Sequence, residues 1–398
     1  MKRNFFLINL LIIVLGFTSC GTSKIRNIQK KEILETIDNN LVKASQQYLY
    51  LKNNTPDEKF PRTYDGKWVT SGSQWWCSGF YPGTLALLTS KNSDDELTQE
   101  MNEKLQLLEK EQFNTSTHDL GFMMYCSFGA IYKENPNTHY REILLNSAKS
   151  LASRFSPKVG CIRSWNSKAP DDFYVIIDNM MNLELLFWAS KETGDSTYYD
   201  IAIEHANTTI KNHFRHDFSS YHLVNYNSET GKPKKKKTVQ GAADDSAWAR
   251  GQAWGLYGFS VMYRETNDPK YLKLANNIAN FILTNPNLPE DFIPYWDFDA
   301  SEIPDEPRDA SAAAVIASAL IELSTYANKD LSLKYMNAAE KILTSLSSPK
   351  YTAEVKTNGG YILKHSVGSK PGNSEVDVPL TYADYYFVEA MLRYKNLK

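Results

Sequence analysis

KYLKLANNIANFILT (residues 270–284) and SAAAVIASALIEL (residues 311–323) decide the fold between them. In the first, Tyr271, Leu272, Leu274, Ala275, Ile278, Ala279, Phe281 and Ile282 recur at helical spacing, while Lys270, Lys273, Asn276, Asn277 and Asn280 fill the other face. That is a helix with one buried stripe. The second stretch is apolar on nearly every side until Glu322, and such a helix must be surrounded by protein. The two kinds alternate along the chain. Helices are expected near 29–52, 79–90, 97–112, 119–134, 138–155, 177–192, 196–214, 246–266, 268–284, 309–327, 331–347 and 379–396. Period-2 patterns are scarce, and Tyr221–Tyr226 and Gly359–His365 are the candidates for short hairpin arms. Inner and outer helices alternating six times predict an all-α closed ring of helical hairpins, in which the first and last helices meet. No stretch richer in Pro, Gly or Ser divides residues 29–398, so one domain is expected.

The remaining composition narrows the class. The chain of 398 residues is 42% hydrophobic and 23% charged, with 24 Tyr, 18 Phe and 8 Trp. Aromatics at that level suit a large core, their ordinary use, and also a carbohydrate cleft. A formal net charge of −2 lacks the basic field of a nucleic-acid binder, so no nucleic-acid partner is expected. At the start, Lys2 and Arg3 precede an apolar run from Phe5 to Phe17 and then Thr18-Ser19-Cys20. A positive start, a short apolar stretch and small residues describe a secretory signal, and the run is too short for a membrane span. Cys20 after small residues resembles a bacterial lipoprotein box, with Phe17 where Leu is usual. The expectation is a signal segment 1–20, a polar tether 21–28, and an exported protein held at a membrane only through lipid on Cys20, facing the periplasm or the cell surface. Cys77, Cys126 and Cys161 are too widely spaced for a disulfide framework or a metal pattern, and buried free thiols are expected.

Polar clusters sit where the inner helices begin. They are Trp75-Trp76-Cys77-Ser78-Gly79-Phe80, His118-Asp119-Leu120-Gly121-Phe122, Ile177-Asp178-Asn179, Asp244 to Arg250, and Arg308-Asp309-Ala310-Ser311. The last helix follows Glu375-Val376-Asp377 and contains Tyr382, Asp384 and Tyr385. Parallel inner helices would bring all these starts to one end, as an acidic cavity rimmed by aromatics. Any one Asp is also a favoured helix cap, and Asp245 and Asp309 fit that use or a supporting one. Paired carboxylates suit sugar chemistry, because burial beside a second carboxylate lets one hold a proton near neutral pH. Trp and Tyr faces offer platforms for sugar rings, and Arg grips an anion with a two-pronged fork. Asp119 and Asp178 are the leading pair, each following His or apolar residues and leading into an inner helix.

From about Trp68 to Arg393 the sequence resembles the unsaturated glucuronyl hydrolases of glycoside hydrolase family 88. The resemblance is carried by HDLGF (118–122), IIDNMMNLELLFWAS (176–190), WARGQAWGLYGF (248–259), RDASAAAVIASALIEL (308–323) and EVDVPLTYADYYFVEAMLR (375–393). It implies an (α/α)6 barrel and release of a 4,5-unsaturated uronic acid from lyase-made acidic oligosaccharides, sulfated ones included, by hydration of the C4=C5 vinyl ether. By motif, Asp178 matches the general acid/base that protonates C4 and activates the water attacking C5. Asp119 matches the second essential carboxylate. His222, Gln240, Arg250 and Trp254 match sugar-contacting positions, and Trp76 the aromatic near the unsaturated ring, with Trp75 as its alternative. Ser366 and Ser369, in HSVGSKPG (365–372), fall where relatives contact the second sugar or its sulfate, with Lys370 adding charge; a plain flexible loop is the other reading. The resemblance implies no metal and no organic cofactor.

Three rivals are weighed against this, one of them an ordinary inverting glycosidase on the same barrel, which would also need two carboxylates but would cut saturated substrates. A family 105 type enzyme on unsaturated galacturonyl–rhamnose ends shares the mechanism but should lack the His222, Gln240 and Arg250 arrangement. A non-catalytic glycan-binding lipoprotein would want the aromatics and Arg, yet two buried carboxylates would repel its anionic ligand. The run Lys234–Lys237 reads as a solvated loop, with attraction to polyanions as the alternative.

Overall fold

The computed structural model describes the backbone of residues 5–90 and 94–397, and within those spans the side chains from Ile28 onward except Gln29. The expected signal segment 1–20 with Cys20, and the tether before Ile28, lie outside the described side chains. Among the described residues no helix is long and apolar enough to cross a membrane.

Six hairpins follow one another. Outer helix α1 (Phe5–Lys52) leads to inner α2 (Phe80–Thr89). Outer α3 (Asp95–Leu108) leads to an inner rod made of a π-helical stretch, Gly121–Gly129, and α4 (Ala130–Glu134). Outer α5 (Thr138–Ala152) leads to a 3₁₀ segment, Ile177–Asn182, continued by α6 (Leu183–Thr193). Then come α7 (Ser196–His213) with α8 (Ala249–Thr266), α9 (Pro269–Thr284) with α10 (Ala310–Ser324), and α11 (Lys329–Leu346) with α12 (Thr381–Asn396). Helix α12 packs against both α10 and α2, which closes the ring. The architecture is the expected all-α (α/α)6 barrel.

The two helices read first show why. In α9, Tyr271, Leu274, Ala275, Ile278, Ala279 and Ile282 are buried, Asp268 caps the start by accepting from Lys270 N, and Pro269 occupies the first turn, where its missing N–H costs nothing. In α10 every residue but Glu322 is buried, as an inner-ring position requires. Its alanines let α8, α11 and α12 approach on different sides.

The small sheets were harder to read. Strands β1 (Phe60–Tyr64) and β2 (Trp68–Ser71) pair, as do β3 (Phe155–Ser156) and β4 (Cys161–Ile162). Strands β5 (Asp172–Ile176), β6 (Leu223–Asn227) and β7 (Pro233–Lys237) form an antiparallel sheet, and β8 (Ser366–Ser369) pairs with β9 (Ser374–Val378). The expected arm at Tyr221–Tyr226 appears as β6, and Lys234–Lys237 lie on strand β7 rather than in a loop. Gly359–His365 is not a strand. Gly359, Gly360 and His365 have φ of 66°, 94° and 62°, a region that interrupts extended chain, and the strand begins only at Ser366. Cys77 and Cys161 are buried, Cys126 is half-buried, and all three are free thiols.

Candidate active site

Two turns carry the leading carboxylates. Asp178 lies in the first turn of the 3₁₀ segment that ends β5, where Ile177 N donates to His222 O at 3.0 Å and ties that turn to the residue preceding β6. Asp119 precedes the π-helical stretch. Its Oδ2 accepts from Thr117 Oγ1 at 2.7 Å, and its Oδ1 is 3.4 Å from His118 Nε2. The two segments are held together by Asn182, whose Oδ1 accepts from Phe122 N at 3.0 Å. Only glycine fits at 121, since a Cβ there would stand 2.5 Å from Asn182 Cα.

The Asp178 side chain is 14% exposed. Burial raises its pKa to about 7, and the negative charge of Asp119 adds to that; the Arg250 charge, a backbone N–H and the nearby Trp254 N–H act the other way. Neither Asp178 Oδ2 nor Trp254 Nε1 has a partner within hydrogen-bond geometry among the described residues. A carboxyl with such a pKa is half protonated near neutral pH, the condition for giving and then taking a proton.

His222 is buried beside it with its tautomer fixed. Nδ1 accepts from Val239 N at 3.0 Å and Gln240 N at 3.3 Å, so the proton of the neutral ring sits on Nε2. Burial and, next, the Arg250 charge push its pKa down to about 3. The ring is therefore neutral at ordinary pH, and its 3.8 Å approach to Asp178 Oδ2 is neither an ion pair nor a formed hydrogen bond. Its Nε2–H has no hydrogen-bond partner among the described residues. Trp165 and Trp248 flank the ring at 5.9 and 4.7 Å. Sequence reasoning gave these two no role; Trp248 opens the WARGQAW motif, whereas nothing around Trp165 marks it.

Arg250 is also buried, and its fork is engaged within the protein. Nη1 donates to Asp309 Oδ2 at 3.2 Å and to Val367 O, and Nη2 donates to Gly368 O at 2.7 Å. Gln240 Nε2 donates to the same Gly368 carbonyl at 3.0 Å. Both residues thus hold β8 over the inner helices, and Trp248 and Tyr382 face the guanidinium at 4.6 and 5.2 Å. Trp254 is buried against Phe122 and Tyr386. Trp76 is half-buried, with Phe80, Phe122 and Tyr382 around its ring. Trp75 is 39% exposed and lies under Arg62 instead. Ser366 is buried, and its hydroxyl has no hydrogen-bond partner among the described residues. Ser369 is half-buried, and Lys370 is ion-paired with Glu306.

Some acidic residues expected at the helix starts do other work. Asp309 caps α10, accepting from Ser311 N and Ala312 N while it meets Arg250. Asp245 is exposed and caps nothing, because α8 begins at Ala249 with Trp248 before it. Asp384 is buried and accepts from Ile362 N and Leu363 N at 2.9 Å; burial raises its pKa to about 7. It anchors the segment leading to β8. Among the described residues no group of three or more His, Cys, Asp or Glu is placed to hold a metal ion.

The sequence model of Glycosyl Hydrolase Family 88 matches residues 50–396. A relative from Formosa agariphila named unsaturated glucuronyl hydrolase is 48% identical over 324 residues, covering 81% of this chain and 80% of its own. Another, from Streptococcus pneumoniae and named unsaturated chondroitin disaccharide hydrolase, is 34% identical over 376 residues, 92% of this chain and 93% of its own. Among solved structures, that of an unsaturated glucuronyl hydrolase specific for heparin is similar with a TM-score of 0.87 at 44% identity, over 90% of this chain and 97% of that one.

Proposed function

The chain belongs to glycoside hydrolase family 88, and from that premise we propose that it hydrates the C4=C5 double bond of an unsaturated uronic acid at the non-reducing end of acidic oligosaccharides. It is an unsaturated glucuronyl hydrolase. In this reading Asp178 delivers its proton to C4 as positive charge develops at C5. The resulting carboxylate then takes a proton from the water that adds to C5. The hemiketal so formed opens, and the second sugar leaves with the glycosidic oxygen. Asp178 ends protonated, as it began.

The observation that carries this is the Asp178 carboxyl, pushed up to about 7 amid donors that the protein leaves unused. His222 Nε2–H, Trp254 Nε1–H and the Tyr382 hydroxyl have no protein partner among the described residues, and each supplies a hydrogen bond to a sugar oxygen. Such preset donors need no reorganisation when the substrate arrives. Asp119 keeps Asp178 protonated by its charge, and the Trp76 face takes the unsaturated ring. Arg250 acts through the positive field it sets over the cavity and through its hold on β8, which carries Ser366 and Ser369. Chondroitin and heparin fragments, named for two relatives, are the first substrates to try.

Loss of the far-ultraviolet absorbance of the unsaturated bond, followed on a panel of lyase-made disaccharides without added metal, tests the reaction. Signal loss with release of the second sugar supports it; cleavage of a saturated control with the unsaturated signal intact would replace it with ordinary glycosidase chemistry. We also propose that Cys20 carries the lipid that anchors the exported protein. Labelled fatty acid should enter the wild type and be absent from Cys20→Ser; equal labelling of both would refute the anchor.

A further inference from the structure

The sheet beside the active site has one face that the reaction chemistry does not use. Cross-strand partners run in register from Trp165 to Tyr174, Asn225 and Lys235, and directly opposed residues share a face. The next row is Ile176, Leu223 and Lys237. The other face carries Phe173, Val175, Val224 and Tyr226 into a small apolar core with Val159 and Cys161. The row begins at the active site, because the Trp165 ring is 5.9 Å from His222. At about 4.8 Å per strand it extends roughly 14 Å outward to Lys235.

The charges on this face are unequal. Asp172 is already taken by Lys234, Asn225 and Tyr174. Lys237 has no carboxylate within 4 Å among the described residues and leans over the Tyr174 ring at 5.6 Å. Lys235 has one loose contact, 3.6 Å from an exposed Asp244 carboxylate. An aromatic track thus leads out from the catalytic carboxyl to two under-used ammonium groups. Resting on the hydrolase reading above, we propose that Lys235 and Lys237 form a binding site for anionic groups, sulfate or carboxylate, on the sugars beyond the one released next to the unsaturated unit. Through it the enzyme favours longer acidic oligosaccharides over disaccharides.

The test compares Lys235→Gln/Lys237→Gln with wild type and with Lys236→Gln, whose side chain lies on the opposite face near Tyr221. Substrates are an unsaturated non-sulfated disaccharide and unsaturated tetrasaccharides from hyaluronan, which bears carboxylates alone, and from chondroitin 6-sulfate. Two charge contacts, one exposed at Lys235 and one half-buried at Lys237, predict a fall of roughly three- to tenfold in kcat/KM on a tetrasaccharide, through KM, with the disaccharide unchanged and Lys236→Gln like wild type. A fall on both tetrasaccharides assigns carboxylate as the ligand, and a fall on the sulfated one alone assigns sulfate. Equal losses in Lys236→Gln would reduce the effect to a general field and overturn the proposal, as would unchanged tetrasaccharide kinetics or a parallel loss on the disaccharide. Wild-type turnover of the disaccharide reports on the hydrolase reading separately.

Discussion

Replacing Asp178 by Asn should make the protein more stable while removing its activity. The carboxyl moves from an ordinary 3.8 to about 7 on folding. A raised carboxylate pKa means that the folded state binds the proton more tightly than the unfolded chain. Stability from this group is therefore full below about pH 4 and is lost as pH rises toward 7. Three pKa units at 1.36 kcal/mol each set the loss at about 4 kcal/mol, of which about 2.6 falls between pH 5 and pH 8. The amide of Asp178→Asn does not titrate, so the stability gap between the variant and wild type should widen by that amount over those three units. For a chain of this size the widening appears as roughly 3 °C in Tm. Asp384, with a similarly raised pKa, contributes equally to both proteins and cancels in the difference. Thermal unfolding of the two proteins at pH 5 and pH 8 measures it directly. A gap that stays constant, or narrows toward pH 8, would show that Asp178 is not a strained buried acid.

Asp119→Asn removes the like charge that helps Asp178 keep its proton, so the alkaline limb of kcat/KM should move to lower pH by about half a unit to one unit; a limb that moves upward refutes the coupling. Asp309→Asn leaves the buried Arg250 charge without its carboxylate and should cost about 3 kcal/mol of stability, read by denaturant unfolding, where a loss near zero would contradict it. Gly121→Ala forces a Cβ against Asn182; the expected cost is roughly 1–3 kcal/mol, with a fall in kcat larger than this instability explains, since the clash lies between the two carboxylate turns. Full activity in a folded Gly121→Ala protein would remove that spacing from the mechanism.

The barrel was legible because helices are long and repeat their pattern. Six buried residues of α9 at helical spacing, and α10 buried except at Glu322, leave few alternatives. Most strands were not legible: β3 and β4 have two residues each, too few for any alternation to show. The Lys234–Lys237 run hid β7 because its sequence carries charge and no apolar period, the pairing to β6 being the only thing that makes it a strand. Within the site, Asp178 and Asp119 could be singled out by type and position, and their segments do meet. The state of each group could not be read so early. The His222 tautomer is fixed by amides seventeen and eighteen residues away, and Arg250 reads as a free fork until β8 is seen to occupy it. Asp384 and Asp245 illustrate the limit of counting acids at helix starts, since one anchors a backbone segment and the other faces solvent.

In the proposed reaction water adds across C4=C5 with Asp178 as the proton donor, and isotope placement in the product checks that addition. Turnover of an unsaturated disaccharide in deuterated, oxygen-18 water should put one deuterium on C4 and leave the glycosidic oxygen, unlabelled, with the released sugar, and Asp178→Asn should form neither product. Oxygen-18 at the anomeric carbon with no deuterium at C4 would mean direct displacement there and would contradict the account.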